Sequence, residues 1–265
     1  MKKIILILSV SIITFGLSSC QKDGSRTPTP TVKGKGKLKS LSAGGSFADL
    51  SSMYQSMDYE IRLAGVANMG LQSPLDDYKL TGSLPASYIN YSVVLPTGQY
   101  DVNAQARNSE GALNQVTAVS NTFATLYGTD VTVSLIDNAN TYTGTIYSPA
   151  RITALKLGQT GSLEIPRTGN TLRWTVDQRN TTGVLLTYKL YSSPDITDPN
   201  KIVRQDQIQL ADNGSYNIDQ LIADPNIHGI NIGLYRGNAM MYTNEAGKNI
   251  VMDIISTDFH YYTIQ

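Results

Sequence analysis

Ile89-Asn90-Tyr91-Ser92-Val93-Val94-Leu95-Pro96-Thr97-Gly98-Gln99-Tyr100-Asp101-Val102-Asn103-Ala104-Gln105-Ala106-Arg107 reads as strand, turn and strand. Ile89 to Leu95 is rich in β-branched and aromatic side chains, which suit a pleated, half-buried surface. Pro96-Thr97-Gly98-Gln99 is turn chemistry, with proline presetting φ and glycine tolerating a left-handed backbone. Beyond the turn, Tyr100, Val102, Ala104 and Ala106 share one parity, and Asp101, Asn103, Gln105 and Arg107 take the other. Period-two alternation sends one face to a core and the other to water.

The same grammar continues downstream. Asn108 to Gly111 is a turn, Val116 to Tyr127 a further β stretch, and Gly128-Thr129-Asp130 a turn. Val131, Val133 and Leu135 then alternate with Thr132 and Ser134, and Thr141 to Tyr147 closes the set. Short alternating strands between closely spaced turns predict an antiparallel β-sandwich. Upstream, Phe47, Leu50, Tyr54, Met57, Ile61 and Ala64 make a helical stripe, while Tyr59, Ile61 and Leu63 alternate as in a strand. Ser46 with Asp49 forms a capping-box pattern, so a helix is expected over Phe47 to Ser56 and a strand over Asp58 to Leu63. Lys33, Lys35, Lys37 and Lys39 share one parity across Gly34 to Ser42, the pattern of a guarded edge strand.

Leu95 to Val102 together with Gly128-Thr129-Asp130-Val131-Thr132-Val133 resembles the transthyretin-like modules of Bacteroidota surface lipoproteins and fimbrillin-type proteins. The resemblance implies a sandwich fold rather than an activity.

A second region begins near Ser148-Pro149. Leu172, Trp174 and Val176 share one parity, as do Val184, Leu186, Tyr188 and Leu190, and Ile230, Ile232 and Leu234. Ile250 to Ile255 and Phe259 to Ile264 read as one strand or two, and Asp212-Asn213-Gly214-Ser215 is a turn. The expected organisation is all-β: two antiparallel β-sandwich domains of transthyretin-like or Ig-like type, over residues 34–148 and 149–265.

Residues 1–33 carry the address. Met1-Lys2-Lys3 is a positive start, and Ile4 to Leu17 is an apolar run shorter than the ~20 residues of a spanning helix, the length of a signal-peptide core. Leu17-Ser18-Ser19-Cys20 resembles a bacterial lipobox, which implies cleavage after Ser19 and acylation of Cys20. Cys20 is the only cysteine, which suits lipidation better than a disulfide framework. Residues 20–33, with Thr27-Pro28-Thr29-Pro30, make a polar tether that buries too little apolar surface to fold. Gln21-Lys22-Asp23 after the lipobox is similar to the export signal of Bacteroidota surface lipoproteins, which implies the outer membrane with the chain facing outward, the periplasmic face being the alternative.

The chain has 21 basic and 21 acidic side chains in 265 residues, so nothing electrostatic argues for nucleic acid. The two histidines, His228 and His260, have no neighbouring cysteine or histidine at metal spacing. No Gly-x-Ser-x-Gly elbow, His-Glu-x-x-His or phosphate loop is present. Asp195, Asp198 and Asn200 share a loop but lack the calcium-loop order. The expectation is therefore no cofactor, no metal and no catalytic residue. Trp174 shares parity with core positions, whereas Tyr235, Tyr242, Tyr261 and Tyr262 are the candidates for an aromatic ligand platform. The predicted role is non-enzymatic: a membrane-anchored binding or adhesion module for a glycan or a surface protein. The alternatives are an assembly subunit working by strand complementation and, with least support, a glycan-degrading hydrolase.

Overall fold

The computed structural model describes residues 37–40, 46–68, 77–83, 91–102, 115–137, 140–155, 157 and 163–265. The expected signal segment, Cys20, the expected tether, and Ala104 and Ala106 of the decisive stretch lie outside the described residues.

In chain order, β1 (Lys37–Ser40) precedes α1 (Phe47–Ser56). Then come β2 (Tyr59–Asn68), β3 (Asp77–Ser83), β4 (Tyr91–Leu95), β5 (Gly98–Val102) and β6 (Gln115–Val119). A 3-10 segment, Asn121–Leu126, leads into β7 (Thr129–Asp137) and β8 (Asn140–Ser148). The chain continues through β9 (Ala154–Leu155), β10 (Glu164–Ile165), β11 (Thr171–Trp174) and β12 (Val184–Tyr191). It ends with β13 (Ile202–Leu210), β14 (Ser215–Asn217), β15 (Gly229–Thr243) and β16 (Asn249–Ile264).

The fold is all-β and built as sandwiches. One nine-stranded sheet runs β13-β12-β15-β16-β2-β3-β6, with β1 added to β15 and β10 added to β16. A four-stranded sheet, β5-β4-β7-β8, and a three-stranded sheet, β14-β11-β9, complete the architecture. Two apolar clusters separate the layers. The first joins Val93, Leu95, Val131, Val133, Leu135 and Ile146 to Ile61, Leu63, Leu80, Met240, Tyr242, Ile250, Met252 and Ile254. The second joins Leu172 and Trp174 to Val184, Leu186, Leu190, Ile230, Ile232, Leu234, Tyr262 and Ile264. Each fully buried aliphatic chain contributes roughly 1.5–3 kcal/mol.

The β15–β16 hairpin is common to both clusters. Its strands pair without a break from Gly229↔Thr263 to Thr243↔Asn249. Even-numbered residues of both strands face inward. Residues near the hairpin turn enter the first cluster, and residues near its open end enter the second. The expected break at Ser148-Pro149 falls between β8 and β9, yet strands from both sides of it share this sheet through β2 and β16.

That β2–β16 pairing is parallel, from Tyr59↔Ile250 to Asn68↔Phe259, an addition to the expected antiparallel pattern. A clasp at its start sets the register. Asp58 N–H donates to Asn249 O at 2.8 Å. The Asp58 carboxylate accepts from Asn249 N–H at 2.9 Å and pairs with Lys248 Nζ at 3.0 Å. Asn249 Nδ2 donates to Ser56 O at 2.8 Å.

Local readings follow the same physics. α1 spans Phe47–Ser56 as expected. Its capping box has Ser46 Oγ accepting from Asp49 N–H at 3.2 Å and Asp49 accepting from Ser46 N–H at 3.1 Å. β4 and β5 form the expected hairpin, and Gly98 at φ 144° supplies a backbone angle that other residues rarely adopt. The single β stretch expected over Val116 to Tyr127 is instead a strand followed by a 3-10 segment. Ser120 Oγ accepts from Thr122 N–H at 3.2 Å and turns the chain there, and Phe123 and Leu126, three apart, then face the core. β13, which the periodicity did not mark, is an edge strand whose residues are mostly exposed.

Candidate functional site

Parity along β15 and β16 sorts the candidate tyrosines. Tyr242 pairs with Ile250 and Tyr262 with Ile230, so both face inward, at 0 % and 1 % exposure. Tyr235 pairs with Thr257 and Tyr261 with Asn231, so both stand on the outer face, half-buried. The four tyrosines therefore do not share one surface. Trp174 is buried at 5 % and donates from Nε1 to Asp212 at 2.9 Å, which places it in the core.

The outer face presents a different set. Across β13, β12, β15 and β16 its rows carry Gln209, Leu185, Tyr235 and Thr257, then Gln207, Thr187, Gly233 and Phe259, then Gln205, Lys189, Asn231 and Tyr261. Tyr235 and Phe259 meet edge to face with ring centroids 5.5 Å apart. Gly233 makes room for them. A Cβ there would stand 2.9 Å from Tyr235 Cε2, 3.0 Å from Phe259 Cε1 and 2.7 Å from Thr187 Oγ1. Phe259 was legible as an outer partner only once the register to β15 was known.

Toward the hairpin turn this face is covered by α1, where Met53 packs with Ala239 and Val251. A charged group borders the covered part. Asp253, fully buried, accepts from Arg62 Nε at 3.1 Å and Arg62 Nη2 at 2.9 Å, and from the Tyr54 hydroxyl. Glu60 also pairs with Arg62. Burial first, then Asp253, pushes the Glu60 carboxyl up to about 7. Burial and then Asp253 raise the Tyr54 phenol well above its ordinary range. Burial opposes the Arg62 charge, but Asp253 and Glu60 together outweigh it and hold the guanidinium protonated.

On the inner face, β16 carries Ser256, Asp258, His260 and Tyr262 in sequence. Ser256 Oγ accepts from Ile152 N–H at 2.9 Å, Asp258 from Ala154 N–H at 2.6 Å, and Tyr262 OH from Leu157 N–H at 3.0 Å. Side chains thus satisfy the backbone of a segment that crosses the sheet, as burial demands. His260 Nε2 lies 3.1 Å from Asp258 Oδ2, with both side chains buried. Ser256 and His260 are four residues apart on one strand, ~13 Å at strand rise, too far for a nucleophile–base hydrogen bond. His228 is exposed at the start of β15.

In the loop before β13, Asp195 accepts from Thr197 N–H at 2.9 Å, and Asp198 from Asn200 N–H at 2.9 Å. These carboxylates cap local turns. Among the described residues no group of three or more His, Cys, Asp or Glu side chains gathers at a metal-sized site, and no helix is long and apolar enough to cross a membrane.

No family model matches the chain, and no curated protein matches it. Among solved structures, it overlaps trypsin-activated alpha-2-macroglobulin from Escherichia coli at 12% identity and a TM-score of 0.17, covering 73% of this chain and 15% of that one. It overlaps the FN1-FN3 domains of chicken CNTN1 at 13% identity and a TM-score of 0.20, covering 74% and 63%. A bacterial ice-binding adhesin overlaps at 12% identity and a TM-score of 0.16, covering 78% and 64%. The chain thus spans less than two thirds of the length of each. The fold assignment rests on the strand pairing of this chain itself.

Proposed function

We propose that this chain is a non-enzymatic, lipid-anchored binding module of the Bacteroidota cell surface that takes glycans on the outer face of β15 and β16. The observation that carries the reading is the half-buried aromatic group Tyr235, Phe259 and Tyr261, flanked by Asn231, Gln205 and Gln207 on one sheet face. Aromatic rings offer flat apolar surfaces to pyranose rings, and neighbouring amides donate to and accept from hydroxyl groups. The lipobox Leu17-Ser18-Ser19-Cys20 and the Thr-Pro tether support an anchor at the outer membrane, with the folded part held away from the lipid.

A glycan array with the full chain tests the binding. Specific binding that Tyr261→Ala and Phe259→Ala abolish, with melting temperatures kept near wild type, supports it. A blank array, or binding indifferent to both substitutions, overturns it. Radiolabelled palmitate incorporation that Cys20→Ala abolishes tests the anchor separately. A second reading, assembly by strand exchange, draws on β1, which pairs with β15 over Lys37–Ser40 at the N-terminal side of the described residues.

A further inference from the structure

The free edge of β13 carries a second kind of recognition. Among the described residues, β13 pairs only with β12. Exposed edges are usually blunted by lysine, proline or a bulge. Ile202-Val203-Arg204-Gln205-Asp206-Gln207-Ile208 contains neither lysine nor proline; its one bulge, at Val203, lies at the start of the strand, and Arg204 to Leu210 pair with β12 without a break. Val203 is 54% exposed, and the Arg204 and Asp206 side chains are 57% and 58% exposed.

The order of these residues is close to a palindrome about Gln205. We propose that β13 pairs antiparallel with β13 of a second copy about a two-fold axis through Gln205, joining two sheets edge to edge. In that register Arg204 stands opposite Asp206 of the second copy, and Asp206 opposite its Arg204. Gln205 meets Gln205, and the bulge at Val203 ends the regular ladder beyond these pairs. Every charge finds its opposite, which favours a cross-strand pair, whereas like charges directly opposite disfavour one. Centring the pair on Arg204 or on Asp206 instead would oppose two arginines or two aspartates. The charges that discourage foreign strands thus select a second copy in one register.

The backbone agrees. Gln207 N–H is taken by the Asp206 carboxylate at 2.9 Å, so it points to the open edge and not into the β12 ladder. Gln205, two residues before it on the unbroken part of the strand, shares that direction. Pairing joins the Gln205 N–H and C=O groups of the two copies and lets Asp206, which lies 3.7 Å from Arg204 of its own strand, turn to the opposing Arg204. These two side chains then fall in the closer, non-hydrogen-bonded pairs of the new ladder. The two-fold axis is perpendicular to the sheet, so both outer faces lie on one side of the dimer.

Sedimentation velocity over a concentration series tests this with the full chain carrying Cys20→Ala. A monomer–dimer equilibrium is expected. Arg204→Asp and Asp206→Arg, at exposed positions, should each weaken the dimer roughly tenfold or more, and the double swap should restore it. In the same background Gln205→Cys should oxidise to a cross-linked dimer, while Gln207→Cys, two residues from the axis, should not. A monomer at every concentration, a double swap no tighter than the single changes, or cross-linking at position 207 as fast as at 205 would each overturn the proposal.

Discussion

Arg236 on β15 and Asp212 in the turn after β13 form an ion pair at 2.7 Å with 0 % and 3 % of their side chains exposed. Arg236 also donates to Ala150 O at 3.0 Å, while Asp212 accepts from Trp174 Nε1 and from Asn180 Nδ2, each at 2.9 Å. The pair ties the nine-stranded sheet to the three-stranded one. Removing one member leaves the other charged and buried, which costs about 3–5 kcal/mol. Arg236→Met and Asp212→Ala should each lower the urea midpoint by a corresponding amount. The double variant should lose less than the sum of the two, and a strictly additive double variant would show that the pair is not coupled.

Glu60 makes stability depend on pH. Its carboxyl sits at about 7 when folded, against an ordinary 4.5. An acid whose pKa is raised on folding binds more protons in the native state, so stability falls as pH rises from about 4.5 to about 7. Below that window the term is constant and favourable, and above it the loss is complete. Glu60→Gln cannot ionise and should remove this slope. Urea midpoints measured at about pH 5 and about pH 8 should differ less in the variant than in wild type. An unchanged difference would mean that Glu60 is ionised throughout.

Much of the fold was legible because burial imposes a period of two. The β4–β5 hairpin, β7, β11, β12 and the inward rows of β15 announced themselves through alternation, and the capping box at Ser46 and Asp49 marked α1 to the residue. Trp174 followed from its shared parity with Leu172. Parallel pairing of β2 with β16 was not legible, because side-chain alternation does not encode which strand lies beside which. The same gap hid the outer platform. Tyr235 and Tyr261 come together with Phe259 only through register, and grouping them with Tyr242 and Tyr262 crossed two opposite faces. β13 escaped because Arg204 and Asp206 interrupt the inward row that Ile208 and Leu210 continue against the second cluster. The Asp253–Arg62 and Asp212–Arg236 pairs join residues far apart in sequence, which no local pattern reports.

Gly233 is the residue on which the aromatic group depends. Alanine there would force the Tyr235 and Phe259 rings and the Thr187 hydroxyl to move, since all three lie within 3.0 Å of the added carbon. Overpacking of this kind costs about 1–3 kcal/mol. Gly233→Ala should lower the melting temperature and alter the ring-proton shifts of Tyr235 and Phe259 in NMR spectra. Unmoved shifts would mean that the rings do not rest on this glycine.

The shared hairpin bears on how the molecule unfolds. Met240, Tyr242, Met252 and Ile254 belong to the first cluster, and Ile230, Ile232, Leu234 and Tyr262 to the second, yet all eight lie on β15 and β16. The first cluster closes only with Met240, Tyr242, Ile250, Met252 and Ile254 of this strand pair, so it cannot persist once the hairpin that the second cluster holds has come apart. Differential scanning calorimetry should therefore show one transition, with calorimetric and van't Hoff enthalpies in agreement. Limited proteolysis between Ser148 and Ile152 should leave the two pieces associated rather than release separately folded fragments. Two resolved transitions, or a stable fragment ending near Ser148, would mean that each sandwich holds its own core and that the hairpin merely crosses between them.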